Sequence, residues 1–371
     1  MAPAGMEDVV AGESAITWID GIGGQLRYRG YSIGELAERC SFEEVAYLLW
    51  DGELPNEHEL AGLRDELRSV RVESERFLPL LPDIPRKAYP LDVLRYVVSW
   101  DALSNTQVLD NSLEANLAKS RAFTAWFIVV AAAFHRMVSG LEPVAPRPDL
   151  DTAANFLYMM RGEEASEVEV RTLDTSLVLH ADHELNASTF AARVTIATQS
   201  NMHAAIASAL GTLSGPRHGG ASDRVITMLE DIGSADNVEA WVRGQLDHKQ
   251  RIMGFGHRVY RTVDPRSRHL RIMAEQLLAH TDEAAWIDIL EKLGHVMERE
   301  RHLYPNVDLY AALVNHKLGI RPSFYTSIFA CTRVVGWTAH VIEQLDGRMI
   351  RPVAEYVGPG PRSMSRAGTT V

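Results

Sequence analysis

Helical periodicity runs through almost the whole chain, and strand signal is nearly absent from it. Apolar residues recur at intervals of three and four, as in Phe42, Val45, Leu48 and Leu49, the spacing that lines one face of an α-helix. Ser32 with Glu35, and Ser41 with Glu44, have capping-box spacing, in which a hydroxyl and a carboxylate satisfy free amides at a helix start. The same pattern predicts helices over 55–70, 112–139, 152–161, 188–213, 221–232, 240–249, 265–280, 282–301, 309–318 and 323–345. Gly347 is placed to stop the last of these. Residues 16–19 and 26–29 alternate around Asp20-Gly21-Ile22-Gly23-Gly24, which reads as one small hairpin. The lack of a regular alternation of strands and helices argues against a doubly wound sheet, and an all-α fold with a small N-terminal β-hairpin is expected. Residues 143–148 read as a loop between helices, and 363–371 as a flexible tail.

The 371 residues leave room for two or three domains. Forty-nine acidic against 37 basic residues give a net charge of -12. That balance argues against nucleic acid as a partner, since phosphate binding requires clustered positive charge. Cys40 and Cys331 lie far apart and lack metal spacing, which fits a reduced, cytoplasmic chain. Residues 1–11 have no apolar core of secretory length. The longest apolar run, 123–134, has 12 residues, against about 20 for a bilayer span, and reads as a buried core helix rather than a membrane segment.

Three segments each put an acid–base residue in an unusual setting. His218 lies in Gly215-Pro216-Arg217-His218-Gly219-Gly220-Ala221, ahead of a helical pattern. The positive end of a helix starting near Ala221 would keep it neutral and suited to hydrogen-bond an oxyanion; a surface-turn histidine fits the segment equally. His257 follows Gly254-Phe255-Gly256 and precedes Arg258, Arg261, Arg266 and Arg268. The third glycine of a dinucleotide fingerprint is missing, and the arginines fit either an anion site or a solvated basic stretch. Asp308 stands between Val307 and Leu309. Desolvation there would raise its pKa and make it a base, whereas an N-cap for the helix that follows is the plainer reading. His180 and His183 are spaced to share one helix face. Their order is not that of a zinc protease and no further ligand set stands out, so contact with a polar ligand or buried backbone is expected, and no metal.

These segments together resemble the citrate synthases, in the short dimeric bacterial and archaeal branch that includes 2-methylcitrate synthases. The likeness opens with Glu13-Ser14-Ala15-Ile16 and Leu26-Arg27-Tyr28-Arg29-Gly30-Tyr31, continues through 42–49 and 180–190, and takes in all three settings, spanning about Gly12 to Pro359. It implies a helical homodimer with a large domain from 1–219 and 323–371, and a small domain over 220–322 carrying much of the coenzyme A site. The cleft between them would close on oxaloacetate.

The resemblance further implies condensation of acetyl-CoA, or alternatively propionyl-CoA, with oxaloacetate, without a permanently bound cofactor. Asp308 would remove the α-proton, His218 would hydrogen-bond the thioester oxygen, and His257 would polarise the ketone. His183 would contact oxaloacetate with His180 in support, and Arg266 and Arg333 would clamp its carboxylates. Arg351 would act across the dimer interface. Met253, Gly254, Phe255 and Arg261 would belong to the coenzyme A site. Arg217 departs from the leucine usual before the first catalytic histidine. The long regulatory N-terminal extension of some relatives is missing, so inhibition by NADH of that kind is not expected. Three other classes lack their signatures: no His-Asp dipeptide marks a metal phosphohydrolase, no two aspartates adjoin as in isoprenoid synthases, and a non-catalytic scaffold needs no glycine-flanked histidines.

Overall fold

A computed structural model describes residues 9–219 and 224–362. The hairpin forms from β1 (Thr17–Asp20) and β2 (Gln25–Tyr28), antiparallel, with Thr17 opposite Tyr28. A two-residue β3 (Tyr31–Ser32), not foreseen, extends it. Among the described residues all remaining regular structure is helical. Ser32 accepts from the Glu35 amide to start α1 (Ile33–Arg39). Complete capping boxes start α2 (Phe42–Asp51) at Ser41 and α3 (Glu57–Glu73) at Asn56.

Then come α4 (Pro90–Ser104), α5 (Leu113–Val138), α6 (Thr152–Arg161) and α7 (Glu167–His180). Neither α4 nor α7 was read from the sequence. Proline at the first position of α4 and the Ser166–Glu169 box of α7 are start signals that were there to be found. The predicted helix over 188–213 is two helices, α8 (Ala187–Ile196) and α9 (Met202–Leu213). The Asn201 side chain accepts from the Ala204 amide and restarts the chain there, although the apolar period continues across the break.

α5 is the centre of the larger helical mass, packed by α3, α4, α6 and α15 (Tyr325–Leu345). It is long and apolar enough to cross a membrane, but 78% of its most apolar window is buried inside the protein, so it is a core helix. Gly347 lies just beyond the end of α15. The remaining helices are α10 (Val225–Ile232), α11 (Val238–Asp247), α12 (Pro265–Leu278), α13 (Ala285–Arg301) and α14 (Val307–Lys317). They pack chiefly on one another, and α12 and α14 meet α1 and α7. The start predicted for the helix over 221–232 and the tail 363–371 lie outside the described residues.

Candidate active site

His218 lies half-buried in the turn after α9. Its ring reaches the start of α8, where the Ser188 amide donates to Nε2 at 3.2 Å and the Ser188 hydroxyl meets the same nitrogen at 2.8 Å. The Ser188 hydroxyl also accepts from the Trp337 indole at 3.1 Å. A ring nitrogen that accepts from a backbone amide carries no proton, so the neutral ring keeps its hydrogen on Nδ1. Burial lowers the His218 pKa to about 4, and the Arg333 charge adds to the effect. The sequence reading gave this task to a helix end near Ala221, outside the described residues; burial is the main cause. Arg217 beside it is exposed, and the cation that reaches His218 is Arg333.

His257 and Asp308 are fixed by one residue. The Asn306 amide donates to Gly254 O at 2.9 Å, and its side-chain amide to Gly256 O at 2.9 Å. Asn306 Oδ1 accepts from the Asp308 amide at 3.0 Å, capping α14. Capping thus belongs to Asn306, which leaves Asp308, half-buried at the second position of the helix, with another task. His257 Nδ1 accepts from the amides of Val259 and Tyr260 at 3.0 and 3.2 Å, so its proton sits on Nε2. Its pKa falls to about 4, through burial first and then Arg266, with Asp264 opposing.

The other two histidines do not share a helix face. His180 is the last residue of α7, and His183 lies beyond it. His180 Nδ1 donates to Ser176 O at 2.7 Å, and burial together with Arg266 lowers its pKa to about 3. The buried His183 ring stands 5.2 Å from His257 and 5.6 Å from Tyr260, centroid to centroid. Its Nε2 has no hydrogen-bond partner among the described residues. Burial, Arg266, His257 and Arg333 hold its pKa well below the ordinary value. Just before it, the fully buried Asp182 accepts at Oδ2 from Thr17 Oγ1 at 2.6 Å, His340 Nε2 at 3.2 Å and the Glu184 amide at 3.1 Å.

Two buried cations face this histidine group. Arg266, on the first turn of α12, makes a two-pronged pair with Asp264 at 2.9 and 2.7 Å. Burial works against its charge, and Asp264 more than reverses this, holding the pKa above the usual value. Arg333 on α15 donates from Nε to His180 O at 2.8 Å and lies over the Phe329 ring. Burial lowers its pKa to about 10, with Asp308 among the carboxylates that oppose this. His218, His257, Asp308, His183, His180, Arg266 and Arg333 therefore converge from α7, α12, α14, α15 and the loops between helices. Ser188, Trp337, Asn306 and Asp264 hold that group in place, and the sequence reading gave them no such role. Asp264-Pro265 carries a legible N-cap signal; the Trp337 contact has none, being set by helix packing.

Met253, Gly254 and Phe255 form the loop beside residues 304–306, with Phe255 bridged to Pro305. Arg261 is exposed on the following turn. Arg351 is exposed on the segment after α15. A cavity of about 370 Å³ lies elsewhere, lined by Glu43, Asp151, Arg171 and Asp174 among others. Two of its carboxylates serve as caps: Asp174 accepts from the Phe42 amide at the start of α2, and Glu43 from the Thr152 amide at the start of α6.

The family model described as "Citrate synthase, C-terminal domain" matches residues 5–353. Citrate synthase 2 of Bacillus subtilis is 43% identical over 360 residues, covering 96% of each chain. A 2-methylcitrate synthase of Shewanella oneidensis is 36% identical over 362 residues, covering 97% of this chain and 96% of its own. The citrate synthase structure from Thermotoga maritima matches with a TM-score of 0.89 at 39% identity, covering 99% of this chain and 98% of its own. That of Thermoplasma acidophilum citrate synthase, a ternary complex with carboxymethyl coenzyme A and oxaloacetate, matches with a TM-score of 0.91 at 32% identity, covering 98% and 97%. The chain carrying this group of histidines, arginines and an aspartate belongs to the citrate synthase family, enzymes that transfer an acyl group.

Proposed function

We propose that this chain condenses acetyl-CoA with oxaloacetate and water to give citrate and CoA. The observation that carries this reading is the state of the two turn histidines. Each is lowered to a pKa of about 4 and has one nitrogen occupied by backbone amides. Each therefore offers a single neutral N–H, the donor needed to stabilise an oxygen as it gains charge.

Asp308 takes the α-proton of the acyl group while His218 hydrogen-bonds the thioester oxygen of the resulting enol or enolate. A carboxylate has a reference pKa of about 3.9 and removes such a proton only if that oxygen is stabilised; losing one such donor costs about 2.7–4 kcal/mol of barrier. His257 polarises the ketone, and the enol carbon attacks it to form citryl-CoA. Water then cleaves the thioester and releases CoA. Arg266 and Arg333 bind the oxaloacetate carboxylates, for which the planar guanidinium fork is suited. The unpartnered Nε2 of His183 faces the same substrate. Arg351, exposed outside the cluster, serves the site of a second subunit in a homodimer. Residues 220–322 act as the small domain, and closure over the cleft excludes water until condensation is complete. Met253, Gly254, Phe255 and Arg261 contact coenzyme A. The buried, unpaired thiols of Cys40 and Cys331 fit a cytoplasmic setting.

A thiol-release assay with acetyl-CoA and oxaloacetate tests the reaction, and kcat/KM with propionyl-CoA decides between citrate and 2-methylcitrate, since one methylene is worth about 1–3 kcal/mol. Asp308→Ala should bind oxaloacetate nearly as the parent does and lose condensation. Retention of more than about a tenth of the parent turnover would remove Asp308 as the base.

A further inference from the structure

The turn between β1 and β2 reaches across to the loop that follows His257. The Arg261 amide donates to Gly21 O at 2.8 Å. A Cβ on Gly21 would lie 2.4 Å from Val259 O, so backbone meets backbone there with no room for a side chain. Gly24, at φ +64°, is also tight, with the Thr262 methyl at 2.7 Å from where a Cβ would be. The turn itself is wound around Asp20, whose Oδ1 accepts from the amides of Ile22 and Gly23 at 3.0 and 2.8 Å.

The segment it grips carries the two amides, of Val259 and Tyr260, that occupy His257 Nδ1. Tyr260 is buried with its ring 4.7 Å from His257. The grip therefore acts on the atoms that set which ring nitrogen carries the proton. We propose that the β1–β2 turn is a positioning element for His257: by holding residues 259–262 from the far side, it keeps the Nε2–H form aimed at the ketone. The proposal rests on the role given to His257 above. It also means that the β1–β2 hairpin clasps the segment assigned to the small domain, so the clasp is part of the arrangement in which His257 and His183 are 5.2 Å apart.

Gly21→Ala forces the loop away from the turn, and Asp20→Ala unwinds the turn without adding bulk. Ile22→Ala is the control, since that side chain is 85% exposed at the tip. Imidazole ¹⁵N shifts, assigned to His257 by difference from His257→Gln, report the tautomer directly. The expected result is a mixed tautomer at His257 in Gly21→Ala and Asp20→Ala. Turnover should fall by about 10- to 100-fold, the scale set by misplacing a catalytic group by about 1 Å. Ile22→Ala should match the parent. Parent-like His257 shifts in both variants would overturn the proposal, whatever the turnover. A parent protein without condensation activity would instead overturn the function assigned above, while the nitrogen shifts would still decide whether the clasp sets the tautomer. If Gly21→Ala does not fold, Asp20→Ala carries the test alone.

Discussion

Gly336→Ala is the substitution for which the geometry gives the sharpest forecast. Gly336 lies on α15 where that helix crosses the 181–182 turn, and its amide donates to Ala181 O at 3.1 Å. An alanine Cβ would sit 2.5 Å from Ala181 O and 2.3 Å from Asp182 Oδ1. Reaching ordinary contact at 3.4 Å requires a separation of about 0.9 Å at Ala181 O and about 1.1 Å at Asp182 Oδ1. Asp182 cannot swing away, because its other oxygen holds Thr17, His340 and the Glu184 amide. The displacement therefore passes to backbone: to His183 on one side, and on the other to Arg333, one helical turn earlier on α15.

Overpacking of this kind costs about 1–3 kcal/mol of stability. A shift of about 1 Å in groups that orient a substrate can cost about 100-fold in rate. Urea unfolding should show the first, and calorimetric binding of oxaloacetate together with thiol release the second. A variant with parent stability and with oxaloacetate affinity within about two-fold of the parent would refute the reasoning, since it would mean that α15 does not position the site.

Three further outcomes follow from the burial and hydrogen bonding of the two histidines. His218 and His257 have pKa values lowered to about 4 in the folded chain, against about 6.5 unfolded. The unfolded chain then binds more protons between those values, so their contribution to stability is complete above about pH 6.5 and is lost as pH falls toward 4. The acid limb of kcat/KM should likewise show no histidine step near pH 6.5, and a step there in a pH–rate profile would contradict the neutral-donor assignment. Ser188→Ala removes the hydroxyl on His218 Nε2 and strands the buried Trp337 N–H, which costs about 1–3 kcal/mol in chemical denaturation. The Ser188 backbone amide still occupies Nε2, so turnover should drop far less than in His218→Ala, and equal losses would show that the hydroxyl, not the amide, sets the tautomer.

The proposed acid–base residues were legible because each stands in or beside a turn whose composition has few structural uses. Glycine-flanked histidines and an aspartate ahead of a helix are local patterns, and the structure brings His218, His257 and Asp308 to one place. The residues that aim them were not legible, for a physical reason. Ser188 lies 30 positions from His218, and the Trp337 indole reaches Ser188 from 149 positions away; such pairings follow from how helices cross, not from any repeat along the chain. Among the elements, the serine-capped helices α1, α2 and α5 were found to within a few residues, whereas α7, with its Ser166–Glu169 box, was missed. The break after α8 was missed because Asn201 interrupts the backbone without interrupting the apolar pattern.

The central position of α5 has a consequence for synthesis on the ribosome. Its last large covering helix, α15, begins at Tyr325, whereas α5 ends at Val138. At about 5–20 residues per second, those roughly 190 intervening residues take about 10–40 s to emerge. Throughout that interval one side of a greasy rod lacks its native cover, and the nascent polypeptide needs either a transient non-native shield or a chaperone.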